Sequence, residues 1–450
     1  MEKEYAVDLM QNKRFAELKS ELTEMNPADI AALLGAMYEA DDLGDRELTL
    51  LFRVLPKELA AEAFAYMDSD WQVIIINAFS DNELREVIDE LYLDDTVDII
   101  EEMPANVVSK ILKNVDTEKR KQINELLNYP KYSAGSVMTT EFVYFHKEIT
   151  VAEAFNKIRS IGVVKETIYT CYVTENRHLM GIITLLDMIV ADPDVMIADI
   201  MDTNVISVST HDDQESVANK LSKYDLAAIP VVDAENRIVG IVTFDDAIDV
   251  IKEETTEDME MMAAISPSDK PYFKTSVFQI YKSRIPWLML LMISATFTGM
   301  IINSFERALA VVPALTVFIP MLMDTGGNSG SQASVTVIRG LSLNEIRYRD
   351  TLRVIWKEMR VALLCGATLA VANFAKLLFF DRVDVGVAFV VCSTLIVTVF
   401  FAKFIGCSLP ILAKRIGFDP AVMASPFITT CVDAISLIVY FQIATLLLHI

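Results

Sequence analysis

The feature that most constrains this chain is an uncharged run of 21 residues at positions 285–305. A helix that crosses the apolar core of a bilayer takes roughly 20 residues. Four further apolar stretches follow, each with at most one or two charged residues, at positions 308–338, 361–380, 385–413 and 421–448. The pattern predicts five membrane-spanning helices and excludes a wholly soluble fold.

Charge divides the chain near residue 270. Residues 271–450 carry 9 acidic and 15 basic residues, a net charge of +6, whereas the first 270 residues carry 54 acidic and 24 basic residues, a net charge of −30. The chain is too apolar, at 53% hydrophobic residues, for general disorder. Because the acidic part would repel phosphate, we expect cations around it and no nucleic acid as a partner.

Basic residues in the predicted loops indicate the orientation of the spans. They precede the first span, separate the second from the third, and separate the fourth from the fifth: Lys274, Lys282 and Arg284, then Arg339, Arg347, Arg349, Arg353, Lys357 and Arg360, then Lys414 and Arg415. This alternation follows the positive-inside rule. It predicts a cytosolic acidic part and a C-terminus outside. The five cysteines show no disulfide framework, which suits a reducing cytosol, and the N-terminus shows no apolar signal sequence.

Two polar features lie inside the predicted spans. The segment 324–332 reads DTGGNSGSQ, and we expect it to interrupt the second span, lining a cavity or packing against protein. The alternative is a helix seam of small residues. Asp433 lies near the middle of the last span, where a carboxylate costs about 3 kcal/mol or more. We interpret it as a cation site, with a carbonyl freed by Pro426; the alternative is a structural ion pair with Lys403 or Lys376.

The soluble part contains an internal repeat. Met138 and Met201 open the two copies, and Asp187 and Asp246 close them. Each copy predicts a helix (151–160; 215–224) and two strands (170–174 and 182–184; 228–232 and 238–243) joined by an Asn-Arg turn. The repeat resembles a tandem pair of CBS domains, a small α/β unit that implies a sensor for adenine nucleotides or ions. Asp187 fits a ribose contact; the alternative is a helix cap.

Acidic helices flank this repeat. In residues 1–130, helix starts recur about every twelve residues, near positions 80, 93, 104 and 116, which predicts a superhelical array. Asp94 and Asp98 share one helix face, where a divalent ion or solvation would relieve their repulsion. Eight of the sixteen residues at 245–260 are acidic, and they predict a helix that connects the repeat to the membrane.

The order of these parts, with GGNSGSQ at 326–332, the segment 426–433 and the basic loop after Arg339, resembles the MgtE family of magnesium channels. The resemblance implies a multidomain fold: an all-α superhelical N-terminal domain (1–130), CBS domains at 136–198 and 199–248, a connecting plug helix (249–270) and a five-helix transmembrane domain (271–450). It also implies a homodimer in the cytoplasmic membrane that takes up Mg²⁺ and is closed by cytosolic Mg²⁺. Ser436 departs from the family, which often has glycine there.

The resemblance also implies site residues. Asp433, Asn328 and Thr429 would form the magnesium site of the pore. Asp187 would contact ATP or another adenine nucleotide. Regulatory magnesium ions would bind Glu62, Asp94, Asp98, Glu215, Asp225, Asp245, Asp246, Asp249, Glu254, Glu257, Asp258 and Asp419.

The sequence also bears on other possible functions. The four histidines, His146, His178, His211 and His449, are scattered without metal-ligand spacing, so we expect no enzyme. A transporter of another divalent cation, such as Co²⁺ or Ca²⁺, remains an alternative, because oxygen ligands favour hard cations in general. A membrane-tethered nucleotide sensor would keep the CBS pair but would need no carboxylate inside the membrane.

Overall fold

The computed structural model describes residues 1–162, 165–268, 272–273, 275–343, 345–423 and 425–449. The chain divides into two compact units, Met1–Val250 and Ile251–Ile450.

The N-terminal unit begins with ten short helices. Four of them start twelve residues apart, at Asp81, Leu93, Ala105 and Thr117, which confirms the predicted spacing. Ser80 starts the first of these four with a reciprocal capping box, which satisfies amides that have no partner within the helix. The ten helices are α1 (Lys3–Gln11), α2 (Phe15–Thr23), α3 (Pro27–Glu39), α4 (Asp45–Val54), α5 (Lys57–Ala65), α6 (Ser69–Ala78), α7 (Asp81–Glu90), α8 (Leu93–Glu102), α9 (Ala105–Asn114) and α10 (Thr117–Leu126).

Lysine side chains join the ends of helices that are distant in sequence. Lys110 on α9 donates to two carbonyls at the end of α6, over 2.6 and 2.8 Å. Lys119 on α10 donates in the same way to two carbonyls at the end of α7, over 2.6 and 2.7 Å. Cations are favoured at helix C-termini, where carbonyls lack partners within the helix.

The CBS pair follows as two copies of one sheet pattern. In each copy the first strand pairs parallel with the second, and the second pairs antiparallel with the third. Asn176, Arg177 and Asn236 have left-handed φ angles of 51°, 67° and 60°, as the predicted turns require. The elements are β1 (Phe142–His146), α11 (Val151–Ile161), β2 (Thr167–Glu175), β3 (His178–Thr184) and α12 (Leu185–Val190), then α13 (Ile197–Ile200), β4 (Val208–Ser209), α14 (Gln214–Lys223), β5 (Ala228–Val232), β6 (Ile238–Thr243) and α15 (Phe244–Met262).

One apolar core joins the helical array to the second CBS copy. It includes Leu34, Phe52 and Phe64 of the array and Val231 and Val242 of the second sheet. The array and this copy therefore fix each other's position, which brings acidic residues from both parts to one place.

The described part of the second unit contains five long helices that lie in the C-terminal region. They are α16 (Val277–Ser304), α18 (Ala314–Ser342), α19 (Thr351–Phe379), α20 (Val385–Arg415) and α21 (Ser425–Leu448), with the short α17 (Glu306–Val311) between the first two. Among the described residues, four segments are long and apolar enough to cross a membrane: Val277–Ser304, Tyr348–Phe379, Val385–Arg415 and Pro420–Leu448. Helix α18 matches them in length, at 29 residues, but carries the polar segment 324–332. Residues 269 and 270 of the predicted connector lie outside the described residues.

The expected interruption of the second span is wrong. Residues 324–332 are continuous α-helix within α18. A helix satisfies its own backbone hydrogen bonds, so no irregular backbone is left inside the membrane. The glycines of this segment are buried against neighbouring helices, as the small-residue alternative predicts.

Candidate cation-binding sites

One face of α18 is a seam of glycines. An added Cβ at Gly326, Gly327 or Gly330 would lie 2.7 to 2.8 Å from a methyl carbon of α20 or α21. A Cβ at Gly406 of α20 would overlap the carbonyl oxygen of Gly330. Three helices therefore meet here at a distance that only glycine allows.

Ser436 takes part in this packing. It is buried, its hydroxyl donates to the carbonyl of Val432 over 2.7 Å, and it lies against Gly326. The departure from the family pattern is therefore accommodated by the glycine opposite.

Another face of α18 is polar and exposed in the single chain. Asp324, Asn328 and Gln332 are four residues apart and form one stripe. This stripe lines a cavity of about 480 Å³ together with residues of α19: Leu364, Cys365, Thr368 and Leu369. Polar side chains on a membrane helix are costly in lipid, so this stripe is expected to face water or protein.

Asp433 is half-buried on α21, and the structural ion pair considered for it is wrong. Lys403 pairs with Glu358 of α19 over 3.6 Å, and Lys376 pairs with Asp381 over 2.8 Å. The charged group that acts on Asp433 is another carboxylate, Asp324 at the start of the polar stripe. Two like charges near each other within a helix bundle attract a cation.

The expected role of Pro426 is also wrong. Pro426 is the second residue of α21, where a missing amide does not disturb the helix. A proline at this position leaves no carbonyl of the helix without its donor, and the carbonyl of Pro426 itself accepts the hydroxyls of Thr429 and Thr430, over 2.9 and 3.0 Å. Thr429 also lies against Gly327, which keeps it beside the polar stripe.

A second group of carboxylates, here called the acidic cluster, lies in the N-terminal unit. It combines one face of α8 with the entries to β1 and β2 and with the start of α15. Its members are Asp94, Asp95, Asp98, Glu141, Glu166, Asp245 and Asp246. The structure thus brings together four predicted residues and adds three that helical spacing did not indicate, Asp95, Glu141 and Glu166.

Burial and mutual repulsion disfavour the charged form of these carboxyls. Burial first, and then neighbouring carboxylates, raise the pKa of Asp98 and of Glu166 to about 8. The same causes raise the pKa of Asp94 and of Asp246 to about 7, and that of Asp95 to about 6. Several of these carboxyls therefore keep a proton at neutral pH, and a bound cation would favour their charged form instead.

The cluster also has oxygens without partners. The Oε2 atoms of Glu141 and Glu166 are buried and accept no hydrogen bond among the described residues. Carboxylate oxygens are the ligands that Mg²⁺ and Ca²⁺ prefer, so the donor chemistry fits a hard divalent cation. No group of three or more acidic, His or Cys side chains among the described residues has metal-holding geometry.

The remaining regulatory residues fall into separate places. Glu62 of α5 acts on Tyr92 together with Glu166, so it lies at the edge of the acidic cluster. Glu215 lies in the first turn of α14 and Asp225 lies two residues past its end, so the structure does not bring the two together. Asp249 lies on α15, before the end of the N-terminal unit.

The second unit holds an acidic group of its own. Burial first, and then Asp419, Glu254 and Glu257, raise the pKa of Asp258 to about 6. The four predicted residues Glu254, Glu257, Asp258 and Asp419 are therefore neighbours. Asp419 also accepts the amide of Ala421 over 2.7 Å.

Asp187 caps a helix. Its Oδ2 accepts the hydroxyl and the amide of Thr184, over 2.5 and 3.1 Å, and completes a capping box at the start of α12. This is the alternative that the sequence left open beside the ribose contact.

Comparisons with known proteins match every part of this chain. The model of the MgtE family of divalent cation transporters matches residues 319–443, that of the MgtE intracellular N domain matches residues 25–132, and the CBS domain matches residues 134–194 and 197–253. The magnesium transporter MgtE of Thermus thermophilus is 35% identical over 100% of both chains. The magnesium transporter MgtE of Bacillus subtilis is 33% identical over 98% of this chain and 96% of its own.

Two solved structures resemble the N-terminal half. The cytosolic domain of the Mg²⁺ channel MgtE in complex with ATP has 35% identity and a TM-score of 0.50, covering 54% of this chain and 97% of that one. The soluble part of a magnesium transporter has 31% identity and a TM-score of 0.51, covering 56% of this chain and 99% of that one.

The membrane helices, the carboxylates among them and the intracellular CBS pair define a membrane transporter of divalent cations. Within this class, the relatives that match nearly the full length of the chain, at 33–35% identity, are both named magnesium transporter MgtE. The chain belongs to the MgtE family, which confirms the resemblance inferred from the sequence.

Proposed function

We propose that this chain takes up Mg²⁺ across the cytoplasmic membrane and that cytosolic Mg²⁺ closes its path. The relatives from Thermus thermophilus and Bacillus subtilis are both named magnesium transporters. The oxygen-rich side chains at both candidate sites suit a hard cation.

The observation that carries the transport proposal is the pair of carboxylates in the helix bundle. Asp433 of α21 acts together with Asp324, which begins the polar stripe of α18. Mg²⁺ releases its water reluctantly and is usually held by one or two carboxylates while it keeps several waters. Asn328 and Thr429 would bind these waters beside Asp433.

The exposed stripe supports a homodimer. Asp324, Asn328 and Gln332 would face lipid if one chain acted alone, which is costly. A second copy related by a two-fold axis would cover the stripe and present a second set of carboxylates to the same path. The path would then lie between the two copies.

Repulsion in the acidic cluster supports the gating proposal. Without divalent cations, α8 and the CBS pair carry like charges at their contact, and these charges push the parts apart. A bound Mg²⁺ would link carboxylates from both parts. In the second unit, an ion at Asp258 and Asp419 would hold the connecting helix near the cytosolic end of the membrane helices, and the path would close.

ATP or another adenine nucleotide is proposed as a second ligand of the CBS pair. The related cytosolic domain is described in complex with ATP. Asp187 would contact the ribose through its Oδ1 atom, because its Oδ2 atom already caps α12.

The experiment measures ion entry into liposomes that contain the full-length chain, with Mg²⁺ varied on the cytosolic side. Asp433→Asn should abolish or strongly reduce Mg²⁺ entry, because it removes the mid-span charge but keeps the side-chain size. Glu306→Gln, an exposed residue at the start of α17, is the matched control and should leave entry unchanged. Unchanged Mg²⁺ entry in Asp433→Asn would refute the proposal that Mg²⁺ passes Asp433.

The same liposomes separate the alternatives. Faster entry of Co²⁺ or Ca²⁺ than of Mg²⁺ would make the chain a transporter of another divalent cation. ATP binding without ion entry would make it a membrane-tethered sensor. Entry that does not fall when cytosolic Mg²⁺ rises would refute the gating proposal and leave transport intact.

A further inference from the structure

The start of α19 separates its charged residues by sign. Glu358 is turned into the helix bundle and pairs with Lys403 over 3.6 Å. Asp350, the other acidic residue between positions 347 and 360, is partly buried and pairs with Arg353 over 3.3 Å. All five basic residues of this segment are exposed: Arg347, Arg349, Arg353, Lys357 and Arg360. The exposed surface of the segment therefore carries a net positive charge.

Three of these residues, here called the basic stripe, lie on one face of α19. Arg353, Lys357 and Arg360 are four and three residues apart, which places them one above the other on a helix. Just before the helix, the hydroxyl of Tyr348 donates to the carbonyl of Lys414 at the end of α20, over 2.8 Å. The helix that carries the stripe is therefore held against its neighbour.

Apolar surface continues from the basic stripe along α19. Trp356 lies beside the stripe, with the guanidinium group of Arg360 5.8 Å from the centre of its ring, a cation–π contact. Leu363 and Val371 follow at intervals of seven and eight residues, about two helical turns each, so they lie on nearly the same face. The exposed fractions of these three side chains are 65%, 62% and 73%. An exposed tryptophan followed by exposed aliphatic residues is typical of a helix that enters lipid.

The depth of the basic stripe follows from the length of the uncharged run after it. Residues 361–375 are uncharged, and Lys376 ends the run. At the rise of an α-helix this run spans about 22 Å, less than the roughly 30 Å of the bilayer core. Arg360 therefore lies at the edge of the core, where its side chain reaches the lipid phosphates. Arg353 lies about 10 Å further out along the helix, so the stripe crosses the headgroup layer.

We propose that the basic stripe of α19 binds an anionic phospholipid. The phosphate would contact Arg353, Lys357 and Arg360, and the acyl chains would cover Leu363 and Val371. A zwitterionic lipid carries its own cation beside the phosphate, which the three basic residues repel, whereas an anionic lipid does not. An acidic segment of a soluble protein would complement the charge, but it would leave the apolar surface below Arg360 uncovered.

The experiment measures which lipid lies beside Trp356. The full-length chain is placed in nanodiscs of phosphatidylcholine that contain a small fraction of lipid brominated on its acyl chains, and quenching of tryptophan fluorescence is recorded. The chain has three tryptophans. Trp287→Phe removes the other tryptophan of a membrane helix, α16, and Trp71 belongs to α6 of the helical array. For each variant, quenching by brominated phosphatidylglycerol is divided by quenching by brominated phosphatidylcholine.

In this background, brominated phosphatidylglycerol should quench Trp356 more strongly than brominated phosphatidylcholine at the same mole fraction. Arg353→Gln with Arg360→Gln should lower the preference for phosphatidylglycerol roughly 25-fold, because each basic residue near an anionic surface contributes about fivefold. Arg353→Lys with Arg360→Lys keeps both charges and should retain the preference. Arg307→Gln with Arg382→Gln removes two exposed basic residues from other connections between membrane helices, and this matched control should also retain it.

Three results would overturn the inference. Equal quenching by the two brominated lipids before the arginines are changed would show that the stripe does not select anionic lipid, or that a protein segment covers it. A preference that falls equally in the matched control would assign it to the total charge of the chain. A preference abolished by inorganic phosphate, with K⁺ added to the other samples to match ionic strength, would make the stripe a site for free anions rather than for lipid.

Discussion

Replacing Asp98 with asparagine should stabilise the N-terminal unit in the absence of divalent cations and weaken its response to Mg²⁺. Burial, and then Asp94 and Asp246, raise the pKa of Asp98 from 3.8 to about 8. At pH 7 the folded chain therefore holds a proton on this group that the unfolded chain has released. Asparagine has nearly the same shape and carries no charge at any pH.

The magnitude follows from the shift of this pKa. One pKa unit corresponds to about 1.4 kcal/mol, so holding the proton at pH 7 costs on the order of 4 kcal/mol. Part of this cost is the repulsion that also raises the pKa values of Asp94 and Asp246. Because the three carboxyls share this repulsion, removing one of them does not recover the full cost. We expect a measured gain of about 1–3 kcal/mol in EDTA.

The assay is urea unfolding of the full-length chain, followed by pulse proteolysis of the N-terminal unit. In EDTA the urea midpoint of Asp98→Asn should exceed that of wild type. In saturating Mg²⁺ the variant should gain less than wild type, because one ligand of the cluster is lost. Glu4→Gln, an exposed residue of α1, should change neither midpoint. A variant that is no more stable than wild type in EDTA would refute the buried repulsion.

Three further predictions concern other contacts. Without divalent cations, the raised pKa values of Asp94, Asp98, Glu166 and Asp246 should make the N-terminal unit less stable as pH rises from about 4 to about 8. Over this range the folded chain keeps protons that the unfolded chain has lost, and each such proton is worth about 1.4 kcal/mol per pH unit. In Mg²⁺ the urea midpoint should change less across this pH range. A urea midpoint that does not change with pH in EDTA would contradict the prediction. Gly406→Ala should destabilise the membrane unit by about 1–3 kcal/mol, because its Cβ would overlap the carbonyl of Gly330. Gly299→Ala, with no atom within 4 Å, should be neutral or stabilising in the same thermal unfolding in detergent. Lys403→Met should lower the folded yield more than Lys403→Met with Glu358→Leu, because the single change leaves a buried carboxylate unpaired; equal yields would contradict this.

Much of the fold follows from the sequence because it depends on local spacing. The repeated helix starts of the array, the strands and Asn-Arg turns of the CBS copies, and the apolar lengths of the membrane helices are all set by residues close in sequence. The cap formed by Thr184 and Asp187 is local as well, and the sequence already contained it as an alternative. The family also followed from the sequence, since its motifs occur in order along the chain.

The course of α18 needed the tertiary structure. Glycines and polar residues at 324–332 indicate a weak helix when read alone, and this expectation was wrong. Close contact with α20 and α21 stabilises the helix there and divides its residues between a buried seam and an exposed stripe. Packing against two other helices leaves no signal in local spacing.

The composition of the acidic cluster was likewise decided by tertiary structure. Asp94 and Asp98 share a helix face and could be paired from the sequence, but Glu141 and Glu166 precede strands that are distant from this helix in the sequence. The partner of Lys403 could not be identified from the sequence for the same reason, because the sequence shows which charges are buried but not which helices are neighbours. Sequence spacing determines the contacts within an element, whereas contacts between elements depend on how several elements pack. The charged residues of this protein interact mainly through contacts between elements.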